Sequence, residues 1–176
     1  MSLAVPTLQT DRTTMSPLGF QHSSGMFLLW SHPDVCLYSG PASDHEGRPI
    51  TLPAKYTNDS DKIIDFWLHA QEDGWGFRWA IHESSQDRFI GTVGFNSLGN
   101  HSEIAFHLRP NYWGKGLMTE AGRRAISWAL DRRPSRFIDA YIDPNNHRSI
   151  RLADKLALRP KNDTRDGARL FQLYDR

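Results

Sequence analysis

Between Phe77 and Leu130 the spacing of apolar residues changes from every second position to a helical stripe, and the change falls on a turn with two glycines one residue apart. Before the turn, Phe77, Trp79 and Ile81 alternate with Arg78, Ala80 and His82, and Phe89, Gly91, Val93 and Phe95 form one face of a second strand. Ile104, Phe106 and Leu108 mark a third, with Glu103, Ala105 and His107 on its other face. Short turns at Gln86-Asp87 and Leu98-Gly99-Asn100 join them into an antiparallel meander. After Pro110, Leu117, Ala121, Ala125, Trp128 and Ala129 lie on one helical stripe to about Leu130, where Arg132-Arg133-Pro134 ends the helix and suits its negative pole. A strand over 137–142, a helix from Ile150 to Ala157 and a strand from Arg169 to Tyr174 follow. A meander followed by alternating strands and helices predicts an α+β fold: a central mixed, mostly antiparallel sheet with helices on both faces.

Upstream, Pro6–Leu18 reads as an edge strand and Phe20–His32 as a short helix closed by Pro33. Residues 39–61, rich in Gly, Pro, Ser, Asn and Asp, read as a long loop of the kind that often serves function. Asp59, Ser60 and Asp61 then cap a helix that carries Ile63, Ile64, Trp67 and Leu68 and ends at Asp73-Gly74. The 176 residues suit one domain, 1–176, and a 39% hydrophobic, 23% charged composition is that of a globular core rather than a disordered tail. One cysteine, Cys36, excludes an internal disulfide or a cysteine-rich metal cluster and fits a reducing compartment. No basic-then-apolar leader and no membrane-length apolar run is visible, so a cytoplasmic location and no membrane partner are expected. The near-neutral charge is unevenly spread: residues 1–108 hold 6 basic and 12 acidic side chains, residues 109–176 hold 15 and 8. Such a split suits an anionic ligand on one side and a cationic one on the other, or simply a solvated basic helix face.

The segment from Leu108 to Ala121 ends a strand, turns through Gly114 and Gly116, and starts a helix at once. The first amides of a helix lack intrahelical acceptors and sit at its positive pole, and glycines let an anion approach the backbone. The alternative is a plain tight turn. A Walker A loop and a dinucleotide fingerprint are both absent.

A second segment, Asp143-Pro144-Asn145-Asn146-His147-Arg148-Ser149, leads into a helix ending Lys155-Leu156-Ala157-Leu158. With Glu103-Ile104-Ala105-Phe106, Trp113-Gly114-Lys115-Gly116 and Thr119-Glu120-Ala121, it resembles the GNAT superfamily of acyl-CoA-dependent N-acetyltransferases. The resemblance is strongest to the branch typified by ribosomal-protein N-terminal acetyltransferases, and Leu8 to Arg12 and Trp30 to Val35 extend it upstream. Three departures stand out. Trp113 and Met118 occupy the ends of the usual Arg/Gln-x-x-Gly-x-Gly/Ala turn, Ala157 replaces the glycine of Lys-Leu-Gly-Phe, and Ser149 stands where many relatives place a tyrosine acid.

The resemblance implies acetyl-CoA as cosubstrate and a small-molecule or peptide amine as acceptor. Phosphates would meet Trp113, Gly114, Lys115, Gly116, Leu117, Met118 and Thr119, and Asn146 would bond the pantetheine arm unless it is only a turn residue. Backbone amides at Phe106, His107 and Leu108 would face the thioester carbonyl. Glu103 would take the ammonium proton, or serve merely as a strand-end carboxylate. Ser149 would hydrogen-bond the sulfur, or only cap its helix.

His101, Glu103 and His107 share a strand face but find no further ligands in the sequence, so no metal is expected. No basic run interleaved with aromatics points to nucleic acid. A catalytically silent acyl-CoA-binding module and a nucleotide- or anion-binding regulatory domain are the rival readings. The acceptor itself is not legible in the first 75 residues, and a homodimer is compatible with everything above.

Overall fold

The computed structural model describes residues 2–132 and 135–174. Eight of its ten strands form one sheet in the order β1 (Leu8–Gln9), β2 (Thr13–Pro17), β5 (Phe77–Glu83), β6 (Arg88–Ser97), β7 (His101–Leu108), β8 (Phe137–Ile142), β10 (Ala168–Tyr174), β9 (Arg159–Arg165). Every neighbouring pair is antiparallel except β7 and β8. The two short strands β3 (Ala42–Ser43) and β4 (Pro49–Ile50) pair separately.

The period-two pattern of β5 divides the molecule into two cores. Phe77, Trp79 and Ile81 pack with Val93, Phe95 and Ile104 under α4 (Leu117–Arg132), whose buried stripe includes Leu117, Ala121, Ala125 and Trp128. Ala153 and Leu156, from α5 (His147–Lys155) and its end, complete that face. Ala80 faces the other way, into a core formed by α1 (Ser23–Trp30), α2 (Pro33–Cys36) and α3 (Thr57–Asp73). The expected mixed sheet with helices on both faces is what the chain adopts.

The differences lie where local chemistry is subtle. The Pro6–Leu18 edge strand is a hairpin, β1 and β2, turned at Thr10–Arg12. The first helix ends at Trp30 rather than His32. Pro33 does not close it but opens α2, at the first helical turn where its missing N–H costs nothing. The 39–61 segment is partly structured: Asp44 Oδ1 accepts from the Glu46 and Arg48 amides and turns β3 into β4. Helix α3 starts at Thr57, two residues early, because Asp59 reaches back from inside the first turn to the Lys55 and Tyr56 amides. Strand β9 had no sequence signal, since all seven residues are exposed and none alternates with a core face. The Arg133-Pro134 helix stop lies outside the described residues.

Ala157, the departure from the expected glycine, sits at φ 62°. The Leu158 amide bonds to the Ala153 carbonyl (2.9 Å) and the Ala157 amide to the Asp154 carbonyl (3.0 Å), the paired bonds of a Schellman helix end. An alanine therefore holds the left-handed position where glycine is the usual residue.

Candidate active site

Strands β7 and β8 pair in parallel through only three positions, His101–Phe137, Ser102–Ile138 and Glu103–Asp139. Beyond Glu103 they diverge, and a cleft of about 900 Å³ opens between Ile104–Leu108 on one wall and Ala140–Asp143 on the other. Its floor continues onto the turn before α4, and its far end runs under α1 and α3.

At the turn, Gly114 and Gly116 have φ of 72° and 77°, a backbone that L side chains rarely adopt. A Cβ on Gly114 would point into open space and one on Gly116 would meet only Arg12, at 3.4 Å. The Glu120 amide bonds to the Gly116 carbonyl at 3.1 Å, so the amides of Leu117, Met118 and Thr119 precede the first intrahelical bond. The Leu117 and Met118 side chains are buried, which leaves their backbone to do the facing. Trp113 fixes the turn to the end of β7 by donating its indole N–H to the Leu108 carbonyl (2.7 Å), and Arg148 from α5 lies 3.5 Å over its ring. The Lys115 carbonyl accepts from Arg12 (3.0 Å), while the Lys115 ammonium rests near the Tyr112 ring.

On the opposite side, the Asn146 side chain caps α5 by accepting from the Ser149 amide (3.2 Å). The cap role considered for Ser149 thus belongs to Asn146, and the Ser149 hydroxyl, at the cleft, makes no hydrogen bond among the described residues. Arg148, Arg151 and Lys155 from the basic half line this end.

Glu103 sits at the point of divergence with its side chain 13% exposed. Its Oε1 accepts from Asn96 Nδ2 (2.8 Å) and from Arg165 (2.7 Å), and Oε2 has no partner among the described residues. Arg165 arrives from the unforeseen β9, crossing the Tyr141 ring at 3.9 Å. Behind Asn96 lies Arg78, buried with its guanidinium 3.5 Å over Trp67. Burial pulls its pKa down to about 9, with Glu103 acting in the opposite sense, so it remains a cation at neutral pH. His107 packs against Trp30 with the rings tilted 48° (centroids 4.6 Å apart), and burial, then the Arg78 charge, push its pKa down to about 3. Neither His107 Nδ1 nor Trp30 Nε1 has a hydrogen-bond partner among the described residues, and both residues line the cleft. None of Arg78, Trp30 or Arg165 was singled out as a site residue from sequence. Arg78 carried a signal, a charged residue in an otherwise apolar strand.

The three residues considered for a metal do not converge: His101 Nδ1 bonds Asp139 (2.9 Å), Glu103 bonds Arg165, and His107 packs against Trp30. Nor does the acidic half as a whole face the cleft, since among its carboxylates only Asp34 and Glu103 line it. The acidic residues of α3 lie elsewhere.

Residues 12–159 match the family described as the acetyltransferase (GNAT) domain. The chain belongs to the GNAT acetyltransferase family. It is an N-acetyltransferase, and relatives match it over most of its length. It is 28% identical over 175 residues to the uncharacterized N-acetyltransferase p20 of Bacillus licheniformis, covering 96% of this chain and 93% of that one. Its fold matches that of RimL, a ribosomal L7/L12 alpha-N-protein acetyltransferase in complex with coenzyme A, with a TM-score of 0.78 at 12% identity over 96% and 98% of the two chains. It also matches the microcin C7 self-immunity acetyltransferase MccE, in complex with acetyl-CoA and AMP, with a TM-score of 0.75 at 16% identity over 94% and 93%. The GNAT fold accounts for the splayed strands and the glycine turn together, since both bound one cleft.

Proposed function

We propose that this GNAT enzyme transfers an acetyl group from acetyl-CoA to a primary amine by direct attack of the amine on the thioester. The observation that carries this reading is the single cleft joining a positive-φ glycine turn at a helix N-terminus to the gap between β7 and β8. The residues present suit the cosubstrate: unpaired amides at Leu117, Met118 and Thr119 for a pyrophosphate, open space at Gly114, and Arg123, Arg124 and Lys155 flanking the outer end of the helix. Acetyl-CoA, when bound, supplies an electrophilic thioester carbonyl.

The chain's own groups then divide the work. Backbone amides of Phe106 and Leu108, on the side of β7 that β8 leaves bare, donate toward the carbonyl oxygen, while the His107 amide faces β6. Glu103 accepts the ammonium proton at Oε2, directly or through one water, while Arg165 and Asn96 hold Oε1. The Ser149 hydroxyl donates toward the departing sulfur, and Asn146 keeps its amide nitrogen for the pantetheine arm while its oxygen caps α5. The acceptor enters under α1 and α3, against Trp30, Trp67 and Trp75. RimL is an alpha-N-protein acetyltransferase and MccE's complex includes AMP; the aromatic lining here suits either a peptide end or a small amine with an apolar body.

A panel of peptide N-termini and small amines, read by free-thiol release, tests this together with melting curves in acetyl-CoA and ATP. We expect thiol release with at least one primary amine and stabilisation by acetyl-CoA but not ATP. Stabilisation by acetyl-CoA without release on any amine returns the silent binding module, and stabilisation by ATP alone returns the regulatory domain. Within the active enzyme, Glu103→Gln lowers kcat/KM by about 10²–10⁴-fold at neutral pH with acetyl-CoA still bound, and the loss shrinks toward the pKa of the amine. Ser149→Ala costs less.

A further inference from the structure

On the outer side of α3, three side chains with metal-ligating atoms come together from two elements distant in sequence. His45 lies in the β3–β4 turn, and Asp65 and His69 lie one helical turn apart on α3. One ligand atom from each lies within 4.8 Å of the other two. The imidazoles of His45 and His69 are stacked face to face, with centroids 4.0 Å apart and planes 8° from parallel. Asp65 joins them: its Oδ2 bonds His45 Nδ1 (2.5 Å), and its Oδ1 lies 3.6 Å from His69 Nδ1.

From these contacts we infer that His45, Asp65 and His69 form a site for a divalent transition cation of the zinc type, and that the cation ties the β3–β4 hairpin to α3. Two imidazoles and a carboxylate are the ligand chemistry such ions favour, with remaining positions left to water. The His69 tautomer is already set for the task. Its Nδ1 lies 2.9 Å from the Asp65 backbone carbonyl, which can only accept, so Nδ1 carries the proton and Nε2 keeps its lone pair. The surroundings are negative as well, since Glu72 and Asp73 lie near His69 in addition to Asp65. Glu46 Oε1 stands 3.9 Å from His45 Nε2, although Arg48 engages its other oxygen at 2.6 Å. Ligands around a metal with bonds of about 2.1 Å are roughly 3.4 Å apart, so closing the site asks for shifts that tilt the two stacked rings out of parallel and release His45 from Asp65 Oδ2. Half-exposed side chains on a turn and a helix face can make them. A spacing of 45, 65 and 69 is not a local motif, and the hairpin that brings His45 across had read as loop.

The site's position gives it a consequence. Ala42 and Ser43 of β3, and Phe66 and Trp67 beside Asp65 on α3, line the acceptor end of the cleft. A cation at the outer face therefore fixes the wall whose inner face the acceptor touches. That consequence rests on the proposed acceptor route, whereas the cation site itself does not.

The test is calorimetric titration of zinc(II) into the untagged, chelator-stripped full chain, with hydrogen exchange of residues 42–50 followed alongside. We expect one saturable site in the micromolar range or tighter and slowed exchange in the hairpin. His45→Ala and His69→Ala should each weaken binding at least about tenfold, whereas His147→Ala, an exposed histidine on α5, should not. Cobalt(II) in place of zinc should develop visible bands in the wild type and lose them in both variants. Absence of saturable binding, or equal affinity in the wild type and the His69→Ala protein, overturns the assignment. Neither readout depends on acetyl transfer, so a failed metal site and a failed acetyltransferase reading are told apart.

Discussion

Arg12 and Glu120, 108 positions apart, form a two-point contact: the Arg12 guanidinium meets Glu120 Oε2 at 3.0 Å and the Arg12 amide meets Oε1 at 2.7 Å. The Thr10 hydroxyl also bonds Oε1, and Arg12 reaches on to the Lys115 carbonyl. The two stretches that carried the family resemblance at opposite ends of the chain are thus one structure, in which the β1–β2 turn braces the glycine turn and the first turn of α4. Glu120 is also an acid at a helix N-terminus, where the dipole favours it.

Burial opposes ionisation of Glu120, but the Thr10 hydroxyl, the Arg12 amide and the Arg12 guanidinium together hold its pKa below the usual 4.5. A depressed carboxylate adds stability that is complete above the unfolded pKa and is lost as pH falls through the lower folded value. Glu120→Gln should therefore destabilise by roughly 1–2 kcal/mol at pH 7, after allowing for partial exposure, and by progressively less below about pH 4. Urea midpoints across pH 3–7 check it; a constant deficit would show that charge plays no part.

His107 gives the opposite window. Its folded pKa is about 3 against 6.5, so between those values the unfolded chain binds a proton that the folded one refuses. Its contribution is intact above pH 6.5 and declines as pH falls, by about 1.4 kcal/mol per unit. His22, also lowered by burial and then by His82, acts in the same direction. His107→Phe, which keeps a ring against Trp30, should flatten the slope of stability against pH by about one proton while His22 retains its share. An unchanged slope would place the proton elsewhere.

At the glycine turn, Gly116→Val should remove measurable acetyl-CoA binding, because a branched side chain at φ 77° is strained and stands where the anion approaches. Lys115→Ala should cost much less, since the contact expected of this residue runs through its backbone. Calorimetry with a circular dichroism control separates lost affinity from lost fold, and undiminished binding by the valine variant removes the phosphate assignment.

Ala157 offers a gain. A left-handed L-residue costs about 1–2 kcal/mol, and the extra unfolded-state freedom of glycine returns part of that. Ala157→Gly should stabilise by roughly 0.5–1 kcal/mol, visible as a raised melting temperature with unchanged CoA affinity.

The strands and helices with one buried face were legible, because burial on one side imposes a period on the residues. What escaped had no such imprint. Strand β9 is exposed along its whole length, and the start of α3 is set by a carboxylate reaching backward. Within the site, the glycine turn and the helix at Asn146 were readable because backbone conformation demands particular residues there. Arg165 was not, since it owes its place to Glu103, 62 positions away, and Arg78 showed only as a charge among apolar neighbours, with nothing to mark Trp67 and Asn96 as its partners. The acidic half was legible as charge but not as direction, and most of it turns away from the cleft.

The early parting of β7 and β8 leaves two strand margins inside the molecule with main-chain donors and acceptors that no neighbouring strand takes up. A bare margin at the rim of a sheet invites pairing with another chain and is a hazard for aggregation. Here β6 guards one strand and β10 the other, so the bare margins face each other across the cleft and not outward at the rim of the sheet. The fold thereby keeps a template for β-like pairing inside the molecule, open to a slender ligand that enters the cleft and removed from the outer rim where strands of other chains add.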